Sequence, residues 1–162
     1  MYGAAQSVRM DERHPLHPQS PYAASKVGAD EMALSYHLSF ALPVVVVRPF
    51  NTFGPRQSAR AVIPTILTQL IAGGPVRLGS LETRRDFTFA SDTARGMRLA
   101  AEHDAALGQA VNLATCPDRG VREVAEIAAP LPPPPLQLES APAPHRPPPA
   151  VVRPPPRRPP TP

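Results

Sequence analysis

The chain has 162 residues, with 17 Lys and Arg against 13 Asp and Glu and a net charge of +4; that length is enough for one domain. Residues 130–162 carry four arginines and one acid, which is +3 of the +4, together with 16 of the 25 prolines, so the near-neutral remainder lacks the basic balance of a nucleic-acid binder. One cysteine, Cys116, excludes an internal disulfide, the five histidines lack metal-ligand spacing, and no apolar run reaches the length of a membrane span.

Residues 4–19 are polar and Pro-containing and read as a loop, with Asp11-Glu12 as a loop cap. Ser20 and Pro21 then suit the N-cap and first position of a helix expected over residues 21–40. Tyr22 and Lys26 fall one turn apart on one face of it. A nearby ammonium favours a phenolate over a phenol, which suits a Tyr that moves a proton near neutral pH. An ordinary surface pair has the same spacing.

Residues 43–47 are apolar and mostly β-branched, and they predict a strand buried on both faces of a parallel sheet. The following stretch, RPFNTFGPRQ, reads as a polar loop punctuated by Gly and Pro. It stands at the carboxyl end of the strand, where open α/β sheets bind ligands. A helix over residues 62–72 stops at Gly73-Gly74. Residues 76–78 and 87–89 predict short strands. Asp92 is expected to cap a helix to about residue 103, residues 110–113 to form a strand, and residues 121–129 a last helix. The alternation is α/β. Beyond it, residues 130–162 are too rich in Pro to bury a core and are expected to be extended or disordered. Within them RPPPRRP fits an R-x-x-P-x-x-P ligand, so a reading from another class is an inactive scaffold with a polyproline interaction tail.

SPYAASK, RPFNTFGPRQ and RRDFTFASD, in that order, resemble the extended short-chain dehydrogenase/reductases that modify nucleotide sugars, the NAD-dependent epimerase/dehydratase family. RPFNTFGPRQSARAVIPTILTQL and LGSLETRRDFTFASDTARG are most similar to its 4,6-dehydratases acting on nucleotide-linked N-acetylhexosamines. The resemblance covers residues 1–129. It implies the C-terminal part of a Rossmann-type fold plus a small substrate-binding domain, followed by a disordered Pro-rich tail that also reads as out-of-frame coding. Tyr22 would be the acid/base. Lys26 would tune it and contact the ribose of NAD. Pro49 and Phe50 would lie beside the nicotinamide. Asn51 and Arg85 would hold the substrate's diphosphate, for which a guanidinium fork is well shaped. Val62, Leu78 and Asn112 would touch the rest of the nucleotide sugar. The same residues have plainer readings: Asn51 as a turn stabiliser, Arg85 paired with Glu82 or Asp86, Val62 and Leu78 as core.

The resemblance further implies a cytoplasmic enzyme with no metal, no nucleic-acid or membrane partner, and a homodimer formed through the Tyr22 helix. It also implies an N-terminally truncated fragment with impaired turnover. Tyr2-Gly3 matches the end of a motif whose Ser or Thr and acidic residue would precede Met1, and no Gly-rich dinucleotide loop opens a helix here. The family's 4-epimerases and decarboxylases share Tyr22, Lys26 and Arg85. Without neighbours for strand 43–47, the chain is expected to expose apolar surface and to depend on a partner.

Overall fold

The computed structural model describes residues 2, 10–115, 117–129 and 137–140. Cys116 and the RPPPRRP run lie outside the described residues. Helix α1 (Pro21–Phe40) forms where expected: Ser20 Oγ accepts from the Ala23 N–H at 3.1 Å, and Pro21 occupies the first position. It ends at Ala41, which is left-handed at φ 54, and Pro43 blocks continuation. Ala23, Val27, Asp30, Leu34 and His37 make a half-buried stripe at helical spacing. The outer side stays open, with Met32, Tyr36 and Phe40 exposed.

Strand β1 (Val46–Pro49) begins three residues later than expected. Its partner sets the start: the Val46 N–H donates to Gln109 O, and Val46 pairs in parallel with Ala110 of β5 (Ala110–Leu113). Among the described residues β5 is its only neighbour. Val46 and Arg48 are buried, Val47 half-buried and Pro49 exposed. The expected burial on both faces is therefore corrected to an alternating pattern, with a charged residue at an inward position.

Residues expected as a loop form a second strand, β2 (Asn51–Phe53), parallel to β4 (Arg84–Phe89). Thr52 and Phe53 favour a pleated surface, and the 87–89 edge offers them a ladder. Phe50 links the two sheets, its N–H donating to Leu113 O at 2.9 Å. β6 (Asp118–Gly120), also unforeseen, adds antiparallel to β4. β4 runs straight into α3 (Ala90–Glu102) with Phe89 at the N-cap place. Asp92 thus lies inside the first turn, near the positive end of the helix, rather than capping it. Gly96 lets α3 approach β5, since a Cβ there would come within 2.8 Å of Leu113.

The apolar core lies between α2 (Val62–Ile71), β3 (Val76–Leu78) and α4 (Val121–Ala128). Ile66 and Val76 are fully buried, with Leu78, Val121 and Ala125 around them. β3 pairs in parallel with β7 (Leu138–Ser140). Leu138 packs on the core, and Arg77 Nε reaches Glu139 Oε2 at 2.7 Å. Residues 130–162 are expected to be extended or disordered, and Leu138–Ser140 is extended, with a strand partner that the sequence does not signal. QLES is proline-free, so its backbone can donate and accept along the β3 edge.

Gly108 joins the short 3₁₀ turn Asp104–Ala106 to β5 at φ +73, its N–H donating to Val44 O at 2.7 Å. A Cβ there would sit 2.5 Å from His37 Nε2. Gly108→Ala is expected to lose about 1–3 kcal/mol through backbone strain and the clash. A lowered urea midpoint with unchanged slope checks this; an unchanged midpoint contradicts it.

Candidate active site

Tyr22 stands in the first turn of α1 with 72% of its surface exposed. Lys26 Nζ lies 5.6 Å from the Tyr22 ring centroid, a cation–π distance. The structure therefore brings the phenol and the ammonium together on an open face. The same helix is fastened from its inner stripe. Arg48 Nε donates to Asp30 Oδ2 at 2.7 Å, with side chains only 7% and 14% exposed. Arg48 Nη1 donates to the Tyr2 hydroxyl at 3.0 Å, and that hydroxyl donates to Asn112 Oδ1 at 2.6 Å. Burial alone would lower the Arg48 pKa, but hydrogen bonds to Asp30 and Tyr2 outweigh it and raise the value above the ordinary one. The ion pair thus locks the Tyr22 helix onto the strand that delivers Pro49 and Phe50. Pro49 is exposed at its carboxyl end, and Phe50 is half-buried just beyond.

The β2–β4–β6 sheet carries the second group. Side chains alternate along a strand, and residues in register share a face. Asn51 pairs with Phe87, and Arg85 pairs with Arg119. Asn51, Phe87, Arg85 and Arg119 therefore share one face, along with Phe53 and Phe89. The opposite face meets α3, where Thr52 Oγ1 and Thr93 Oγ1 are 3.0 Å apart and Thr88 is buried. The Asn51 amide donates to Asp86 O at 3.0 Å, and Arg85 Nη1 donates to Arg84 O at 3.1 Å. The Asp86 carboxylate accepts from the Thr88 hydroxyl at 3.2 Å and from the Thr115 N–H and hydroxyl at 3.1 Å each. It holds the segment after β5 against β4. Arg84 points to the α3 side and donates to Asp118 Oδ2 at 2.6 Å, which raises its pKa. Arg119 pairs with Glu123 one turn into α4, and its hydrogen bond holds that carboxyl below the usual range.

Other sequence candidates lie elsewhere. Leu78 is buried in the core and Val62 packs against it. Asn112 belongs to the β1–β5 pair and faces the N-terminal segment: its amide donates to Met10 O at 3.1 Å and its N–H donates to Glu12 Oε1 at 2.8 Å. Glu12 is thus a loop fastener. Among the described residues, no group of three His, Cys, Asp or Glu could hold a metal ion, and no helix is long and apolar enough to cross a membrane. Arg119, the hold of Asp86 on Thr115 and the Tyr2–Arg48–Asp30 network went unforeseen. Each depends on contacts between segments distant in sequence, which no local run displays.

The family model for GDP-mannose 4,6 dehydratase matches residues 1–130. The chain belongs to this family. Its members are NAD-dependent nucleotide-sugar dehydratases and epimerases. A dTDP-glucose 4,6-dehydratase of an Actinoplanes species is 44% identical over 62% of this chain and 32% of its own length. The solved dTDP-glucose 4,6-dehydratase of Bacillus anthracis, in complex with NAD, has a TM-score of 0.80 at 30% identity, over 89% of this chain and 47% of that one. A UDP-N-acetylglucosamine 4-epimerase from Methanobrevibacter ruminantium has a TM-score of 0.73 at 32% identity, over 78% and 42%. The chain therefore spans about a third to a half of these relatives. Its α/β arrangement with parallel strand pairs is that of these Rossmann-type structures.

Proposed function

We propose that this chain carries the proton-transfer helix and the substrate-holding half of an NAD-dependent nucleotide-sugar 4,6-dehydratase, of the type that takes nucleotide-linked hexosamines. The observation that carries the reading is that Asn51 and Arg85, distant in sequence, share one sheet face while Tyr22 and Lys26 share one open helix face. Arg85 offers a fork of donors and Asn51 an amide, the chemistry that grips a diphosphate. Tyr22, as the acid/base, takes the proton from the sugar's 4-hydroxyl.

The residues present fit the ribose–nicotinamide end of NAD. Lys26 supplies an exposed donor for ribose hydroxyls, and Pro49 and Phe50 supply an apolar wall past the end of β1. A bound NAD would supply hydride acceptance and return at this end, with Lys26, Pro49 and Phe50 as the residues that would hold it. The exposed stripe of Met32, Tyr36 and Phe40 on α1 suits a homodimer; the reading places the enzyme in the cytoplasm.

A 4-epimerase is the second reading, supported by the solved epimerase at 32% identity. The test is incubation with NAD and, separately, UDP-N-acetylglucosamine, dTDP-glucose and GDP-mannose, with mass spectrometry of the products. Loss of one water from a sugar supports the dehydratase. An isomer of unchanged mass supports the epimerase. Absence of both products contradicts both.

A further inference from the structure

We propose that Arg119 is a second cation of the diphosphate subsite, acting beside Arg85 on the face that carries Asn51. The proposal rests on the reading of Asn51 and Arg85 given above. β4 and β6 run antiparallel with Arg85 directly opposite Arg119. Both side chains are cations, and an anion lying between them can accept from both. Neighbouring strands are about 4.8 Å apart, so two guanidinium groups rising from them can take adjacent phosphates. The rest of the face suits this ligand. Phe53 packs edge-on to Phe87 and Phe89 with centroids 6.4 and 5.4 Å away. That aromatic floor lowers the local dielectric, which strengthens charge-assisted hydrogen bonds above it.

Arg119 is held ready rather than buried. Its pair with Glu123 is partly open, at 48% and 36% exposure, and such surface pairs are weak. A phosphate group can therefore displace the carboxylate, or share the guanidinium with it, at little cost. Arg84, by contrast, is turned to the other face by Asp118. The sheet thus sorts its basic side chains, with Arg85 and Arg119 toward the ligand.

The experiment is calorimetric titration of the full chain with inorganic pyrophosphate at fixed ionic strength. Arg119→Ala is expected to weaken binding about tenfold, the loss of one charge-assisted contact. Glu123→Gln, which releases Arg119, should bind equally or more tightly. Arg98→Ala, on the remote helix α3 and paired with Glu102, should stay within about twofold. Arg119→Gln keeps the side-chain length and gives the same reading if the alanine variant folds poorly. If Arg119→Ala and Arg119→Gln both bind normally while Arg85→Ala loses affinity, the proposal fails and the diphosphate reading survives. If Arg85→Ala also binds normally, or the unaltered chain does not bind pyrophosphate, both fail.

Discussion

Arg48→Met is expected to destabilise the chain by about 3–5 kcal/mol, because it leaves a buried carboxylate without its partner. The side chain removed is only 7% exposed, and Asp30 is nearly as enclosed. The Tyr2 hydroxyl loses a donor in the same step. Against a typical stability of about 5–15 kcal/mol, the loss leaves little margin. The double variant Arg48→Met with Asp30→Leu should recover much of it, since both charges then disappear together. Urea titration of the three proteins decides: a single variant as stable as the unaltered chain would show that the pair contributes nothing.

Tyr22→Phe is expected to lower turnover by about 10²–10⁴-fold, the range for removing a positioned acid/base group. KM should change little, because the proposed diphosphate contacts, Asn51 and Arg85, lie on a different element. Stability should move by less than about 0.5 kcal/mol, because Tyr22 is exposed and its hydroxyl is not needed for packing. The product assay with each nucleotide sugar, beside a thermal melt, separates the two effects. A variant that keeps more than a fifth of the unaltered rate would remove Tyr22 from the chemistry.

Local signals in the sequence located most elements. Ser20-Pro21 marked the start of α1, and Gly73-Gly74 the end of α2. What failed was non-local. Asn51–Phe53 contains Asn and precedes Gly54-Pro55, so it reads as a turn until β4 is known to lie beside it. Asp118–Gly120 has no strand composition at all, and only the edge of β4 makes it one. Leu138–Ser140 sits among prolines, yet the β3 edge and the core below it give Leu138 a place. The site divides in the same way. The Tyr22–Lys26 spacing is a helical property, legible from five residues. The common face of Asn51, Arg85 and Arg119 is a property of strand register, which no run of sequence displays. Val62 and Leu78 show the converse: apolar residues that a ligand could touch were also the residues a core needs, and the structure places them there.

The central claim is that Asn51 and Arg85 hold the diphosphate of a nucleotide sugar. The most direct measurement follows backbone amide NMR signals while UDP-N-acetylglucosamine or dTDP-glucose is titrated into the chain. The account predicts saturable shifts centred on Asn51, Arg85 and Phe87 that vanish in Arg85→Ala. Shifts that persist in Arg85→Ala, or no saturable shift with either sugar, would contradict it.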